Sequence, residues 1–154
     1  MRLRSLLFVP GDRPDRMEKA LGAGADALIL DLEDAVAAEK KSEARRAVAA
    51  FVAANPASGL WVRINPLEGP EADRDLAAIL PNHPHGIVLP KAEGGASVTE
   101  LTRRLTAKGY RSIEMRGESK GGSRDDDYHE RHGDGRDDRR AWRGRRVVPA
   151  VVRR

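Results

Sequence analysis

Asp31, Glu33 and Asp34 put three carboxylates into four residues at the end of the apolar run Ala27 to Leu32. A carboxylate within an otherwise apolar strand is costly without a cation. Three acids at a strand end suit a metal, a metal-bound water or a proton-transfer step. Taken singly, each could also cap or precede the next helix. Arg63 stands inside a second apolar run, Trp61-Val-Arg-Ile. Its planar fork of donors suits bidentate capture of a carboxylate, or an ion pair with Asp31 or Glu33 across a sheet, and the two uses are compatible. Lys91 follows a third run and could bind an anion, form a Schiff base or remain a solvated, ion-paired side chain.

Other candidates carry less. Gly22-x-Gly24 reads as a helix stop, and Gly94-Gly95 either cradles a phosphate or makes a tight turn. His83 and His85 flank Pro84 in a loop, a poor metal site. His129-x-x-His132 beside Asp125 to Asp127 has metal-like ligands but no scaffold. The absence of cysteine excludes disulfides, thiolate catalysis and Cys-type zinc sites.

The elements that must position the charged residues follow from apolar clustering. Ser5 to Val9, Ala27 to Leu32, Leu60 to Ile64 and Gly86 to Leu89 read as strands. All are more apolar than alternating, as in parallel strands covered on both faces. Helices are expected from Pro14 to about Leu21, from roughly Lys40 to Ala54 with Ala44, Val48, Phe51 and Val52 on one stripe, and over about Glu71 to Leu80, stopped by Pro81. Ser97 and Glu100 form an S-x-x-E capping box ahead of a fourth helix with Leu101 and Leu105.

Strand starts separated by 22, 33 and 26 residues each leave room for one strand, one helix and two loops. The order is (βα)4, which fits either an open doubly wound sheet or half of a TIM-type (β/α)8 barrel of about 250 residues. In both, function gathers at the carboxyl ends of the strands. There lie Pro10, Gly11 and Arg13 after the first strand, Asp31, Glu33 and Asp34 at the second, Arg63 and Asn65 at the third, and Lys91 after the fourth. Asp31, Glu33, Asp34 and Arg63 are the catalytic candidates, and Arg63, Asn65, Pro10, Gly11, Arg13 and Lys91 the substrate-binding ones.

The chain has 154 residues, 40% of them hydrophobic, and a formal charge of +4. The charge is lopsided, since residues 1–109 hold 15 basic and 15 acidic side chains and residues 110–154 hold 13 and 9. From Tyr110 onward neither helical nor strand periodicity persists, and the Arg/Asp/Gly-rich tail is expected to be disordered. Val147 to Val152 is apolar but interrupted by Pro149 and has no evident partner. The break comes where a fifth strand is due, which points to out-of-frame translation or a degraded gene end. No run approaches the roughly 20 apolar residues of a membrane span, so a cytoplasmic protein is expected.

Four motifs in order, Ser5-Leu-Leu-Phe-Val-Pro-Gly-Asp-Arg-Pro-Asp-Arg, Asp31-Leu-Glu-Asp-Ala-Val, Val62-Arg-Ile-Asn and Leu89-Pro-Lys-Ala-Glu, closely resemble the citrate lyase β-subunit-like branch of the HpcH/HpaI aldolase family. The resemblance covers Met1 to about Gly109. It implies a TIM-type barrel and a magnesium-dependent carbon-carbon lyase acting on a β-hydroxyacyl thioester such as citryl-CoA or malyl-CoA, or its acyl-carrier equivalent. By that resemblance Arg63 grips the carboxylate of the keto-acid product, while Asp31, Glu33 and Asp34 line the metal and its waters. The family's direct magnesium ligands come from later segments resembling E-T-P and G-x-E-D, which this sequence lacks. Glu114 lies near the expected distance but within Ile113-Glu-Met-Arg, so no residue is assigned as a ligand.

Half a barrel leaves open strand edges, so impaired activity is expected, as is completion by a second copy of the chain. From a different class, the Arg-rich tail could bind nucleic acid or another polyanion; its interleaved acids and few aromatics argue against it.

Overall fold

The computed structural model describes residues 4–92 and 94–110, together with the backbone of 114–115 and 150–151. Four repeats run β1 (Leu6–Pro10), α1 (Pro14–Leu21), β2 (Ala27–Asp31), α2 (Lys41–Ala54), β3 (Leu60–Arg63), α3 (Glu71–Ile79), β4 (Gly86–Val88) and α4 (Gly95–Ala107). The strands form one parallel sheet in the order β1-β2-β3-β4. Its register aligns Pro10 with Asp31, Asp31 with Arg63 and Arg63 with Val88, so one row crosses the carboxyl end of all four strands.

Side chains alternate between the two faces of a strand. Val9, Leu28, Leu30, Leu60, Val62 and Ile87 belong to a large buried cluster that also takes in Met17, Val48, Phe51, Leu76, Ile79, Leu101 and Leu105 from the helices. The opposite face holds a separate small cluster of Ala27, Ile29, Trp61 and Val88. All four helices therefore pack on one side of the sheet. A doubly wound sheet would carry helices on both, so the arrangement is the N-terminal (βα)4 half of a TIM-type barrel, with Ile29 and Trp61 on its inner face.

Glycine is required where β-strands crowd. A Cβ at Gly86 would lie 2.7 Å from the Trp61 ring, so Gly86 is the hole into which Trp61 fits. A Cβ at Gly11 would stand 2.7 Å from the Asp31 carbonyl oxygen and 2.8 Å from Val48 Cγ2. Gly11→Ala is expected to destabilise the chain by roughly 1–3 kcal/mol, as overpacking does. A thermal melt that leaves Tm unchanged would contradict that.

One helix boundary differs from the sequence expectation. The Ser97–Glu100 capping box is not used: α4 begins at Gly95 with Gly94, at φ 106°, in the cap position and no side-chain cap bond. Glu100 instead accepts hydrogen bonds from Arg103 and Arg104, which hold its carboxyl at about 2. As expected, α3 ends before Pro81, at Ile79, and tightens into a 3-10 turn, Leu80–Asn82, near whose start proline fits. A further 3-10 turn, Ala38–Lys40, leads into α2, which runs Lys41–Ala54 as expected.

Of the Arg/Asp/Gly-rich segment, Glu114–Met115 (β5) and Ala150–Val151 (β6) are described and pair antiparallel with one another. Ala150–Val151 thus has the partner that its sequence does not reveal, and β6 lies alongside β4. β5 does not extend the parallel sheet as a fifth barrel strand would. The expected disorder of the remainder, and the His129–His132 pair with Asp125 to Asp127, fall outside the described residues.

Candidate active site

The row at the carboxyl end of the sheet brings the predicted acid and arginine into direct contact. Asp31 closes β2 and Arg63 closes β3, in register. Arg63 Nε donates to Asp31 Oδ1 at 2.7 Å and Nη2 to Oδ2 at 2.6 Å, a fork-on-fork pair. The chain turns sharply after β2, so the amides of Glu33 and Ala35 come back to the same carboxylate at 2.9 and 3.1 Å. Asp31 is 1% exposed and carries four hydrogen bonds.

Burial pushes the Asp31 carboxyl up, but the Arg63 hydrogen bonds and the two amides outweigh it and hold the group below its ordinary value. A folded-state pKa below the unfolded one adds stability above the ordinary aspartate value of 3.8, and that stability drains as pH falls through the lower folded value. Acidification below about pH 4 should therefore cost the parent chain more stability than it costs Asp31→Asn, which has already lost the charge. Urea melts across that range would refute this if the two lines ran parallel.

Glu33 lies behind the same guanidinium, its Oε2 3.4 Å from Arg63 Nη1 and its Oε1 3.0 Å from Lys91 Nζ. It is 5% exposed, yet Oε2 receives no hydrogen bond. Lys91 reaches it from a left-handed backbone, φ 51°, a conformation that costs a non-glycine residue on the order of 1 kcal/mol. The Glu33 carboxylate raises the Lys91 ammonium pKa, through a hydrogen bond first and charge second. Arg63 also lies 5.0 Å over the ring of Phe8, the residue two before the end of β1 on the same face. Asp34 is exposed and takes part in none of these bonds among the described residues.

The remaining candidates are placed differently. Arg13 lies at the β1 rim but pairs with Asp15 at 3.1 Å. The Gly11 amide donates to the Asp31 carbonyl at 2.8 Å and Pro10 lies beside Asp31 in register. Asn65 is buried below the rim: Nδ2 donates to the Leu32 carbonyl at 2.9 Å and to Asp75 at 2.7 Å. His85 packs its ring 5.4 Å from that of Trp61, and no group of three metal-ligating side chains occurs among the described residues. No helix among them is long and apolar enough to cross a membrane.

Sequence reasoning passed over Lys41, Arg45 and Asp75. Asp75 is fully buried in α3, bonded to Arg45 Nε at 2.6 Å and to the Asn65 amide at 2.8 Å. Its signal was available: Ala72, Leu76 and Ile79 form the buried stripe of α3, and Asp75 is the acid set within it.

Parallel strands with helices on one face, and an acid–arginine pair where the strands end, define an α/β chain of the (β/α)8 barrel type. Residues 4–121 match the HpcH/HpaI aldolase/citrate lyase family model, and the chain belongs to that family. It is 39% identical over 109 residues to a citrate lyase subunit beta-like protein of Deinococcus radiodurans, covering 67% of this chain and 38% of that one. A (3S)-malyl-CoA thioesterase of Cereibacter sphaeroides is 35% identical over 97 residues, 62% of this chain and 34% of its own. Among solved structures, a Mycobacterium tuberculosis citrate lyase beta subunit complexed with oxaloacetate and magnesium superposes with TM-score 0.54 at 42% identity, covering 62% of this chain and 42% of the other. The chain thus spans well under half the length of the relatives it matches.

Proposed function

We propose that the chain carries the keto-acid-binding half of a magnesium-dependent carbon-carbon lyase for β-hydroxyacyl thioesters such as citryl-CoA or malyl-CoA. The observation that supports this best is the Asp31–Arg63 pair at the ends of neighbouring strands, with Nη1 of Arg63 left over. Asp31 is saturated and can only orient. The Nη1 edge, opposed by Glu33 alone at 3.4 Å, is the part of the guanidinium able to take a substrate carboxylate. Relatives of this family have been solved with oxaloacetate, pyruvate and acetoacetate with coenzyme A, each with magnesium.

In the cleavage direction the β-hydroxyl proton passes to a base and its C–O bond becomes the keto-acid carbonyl. The electron pair of the broken carbon-carbon bond goes to the thioester α-carbon, which is then protonated. Arg63 holds the keto-acid carboxylate so that this bond is presented to the rim. Glu33 and Asp34 have unsaturated oxygens there, suited to holding the moving proton or accepting from water. Lys91 adds a second cation beside the anionic substrate.

Magnesium, when bound, supplies charge against the developing oxyanion. The donor set at the rim fits only its outer sphere: Asp31 has no lone pair to spare, whereas Glu33 Oε2 and Asp34 can accept from its waters. Its direct ligands are expected from a segment beyond these four strands.

The test is incubation of the purified full chain with malyl-CoA or citryl-CoA and Mg²⁺, assaying keto acid and free thiol separately. Keto acid without free thiol is the expected result. Free thiol without keto acid would indicate thioester hydrolysis instead, and no turnover of either would confine the lyase reading to ancestry.

A second copy of the chain is the partner proposed for the open sheet. No strand among the described residues pairs with the outer edge of β1, where Leu7 and Phe8 are exposed. Sedimentation should show concentration-dependent association that Phe8→Lys weakens; a monomer at all concentrations would remove the idea. The nucleic-acid alternative rests on tail residues outside those described.

A further inference from the structure

Beneath the rim a chain of buried polar groups runs from the helical layer to the acid turn. Arg45 on α2 is ion-paired with Glu71 and bonded to Asp75 on α3. Asp75 Oδ2 accepts from both nitrogens of Asn65, at 2.8 and 2.7 Å. Asn65 Nδ2 in turn donates to the Leu32 carbonyl, and Lys41 Nζ donates to the carbonyls of Leu32 and Glu33 at 2.7 and 2.6 Å. The Leu32 amide is meanwhile fixed on the Arg63 carbonyl at 2.9 Å.

Lys41 is an odd residue to find there. It is the first residue of α2, where the helix dipole disfavours a cation, and burial lowers its pKa against the pull of Asp75, Asp31, Glu33 and Asp34. An ammonium at a helix start is explained by what it holds. Its two carbonyl partners belong to consecutive residues, one on each side of the Glu33 α-carbon. The Leu32 carbonyl and the Glu33 amide are opposite edges of one peptide, so holding that carbonyl on the helical side aims the Glu33 amide at Asp31; holding the Glu33 carbonyl fixes the next peptide, which leads the chain to the Ala35 amide and the same carboxylate.

We propose that Lys41 is a positioning residue for this site, clamping the Leu32 and Glu33 carbonyls so that the Asp31–Glu33 turn presents its acids to Arg63. Asn65 and Asp75 complete the support, acting on the same carbonyl from β3 and α3. The assignment rests on the reading of Asp31, Glu33 and Arg63 as the working site, but its test contains no substrate and so can fail or succeed independently of lyase activity.

The test is residue-resolved amide hydrogen exchange on the full chain, comparing the parent with Lys41→Met. The Glu33 and Ala35 amides should exchange about 10-fold faster or more in the variant, while amides within β2 and β3 keep their rates, the pattern of a local rather than a global opening. The Arg63 Nε–H resonance should shift in the same variant, since its acceptor moves with the turn. Unchanged turn amides, acceleration spread evenly over β2 and β3, or turn amides already unprotected in the parent would each overturn the proposal. If Lys41→Met does not fold, Lys41→Leu, which likewise has no donor, carries the same comparison with the same readings.

Discussion

Arg63→Ala should abolish keto-acid binding and destabilise the chain together, because one side chain serves both ends. Asp31 would be left as a buried carboxylate holding only the Glu33 and Ala35 amides. Breaking a buried pair by removing one partner costs about 3–5 kcal/mol. The side chain is one-fifth exposed at its outer edge, which places the expected loss toward the lower end of that range. Arg63→Lys separates the two roles. An ammonium can still neutralise Asp31, so most of the stability should return, but a point charge cannot bond Asp31 with two nitrogens and offer a third to a ligand. Calorimetric titration with pyruvate and denaturant melts on both variants would read the two effects apart. Equal binding by the lysine variant and the parent would show that the free Nη1 edge is not what holds the substrate.

The second large effect is expected at Asp75, far from any ligand. Asp75→Ala removes the acceptor of Arg45 Nε and of both Asn65 nitrogens in a place with no solvent to replace it. Arg45 keeps its ion pair with Glu71, so the loss should lie toward the lower end of the about 3–5 kcal/mol of a broken buried pair. Asp75→Asn should cost less, since its single amide oxygen can keep the Asn65 contacts, although its NH2 then faces Arg45 Nε and that hydrogen bond is lost with the charge. Denaturant melts giving Asp75→Ala less than about 1 kcal/mol would mean that the cavity rewets and that the polar chain is not structural. Because Asn65 bonds the Leu32 carbonyl, both substitutions are also expected to loosen the acid turn.

The rim was legible because parallel strands place their carboxyl ends on one side, so charged residues closing apolar runs must converge. Strand spacing alone therefore places Asp31, Glu33, Arg63 and Lys91 at the rim. Asn65, just past β3, is at the rim by count, but its side chain turns toward the helices. Residues 60, 62 and 64 face the helical cluster and 61 and 63 the inner side; the chain leaves that alternation at Asn65, and no local pattern tells which way it goes. The capping box failed for a related reason. Ser97 and Glu100 have the right spacing, but Gly94 at φ 106° starts the helix earlier, and Glu100 then faces two arginines.

What the amino-acid order determined by itself was the repeat: apolar runs at near-regular intervals, glycine and proline between them, and charges where the runs end. Those are local properties, set by backbone propensity and by which residues must leave water. Three matters were decided only in three dimensions. One is the placing of all helices on a single face, which separates a barrel sector from a doubly wound sheet. Another is the register that sets Asp31 beside Arg63, and the third is the buried chain from Glu71 through Asp75 to Lys41. Each depends on contacts between residues some 30 positions apart, such as Asp31 with Arg63 or Arg45 with Asp75. Such pairings are selected by the packing of whole elements, and no window of neighbouring residues contains both partners.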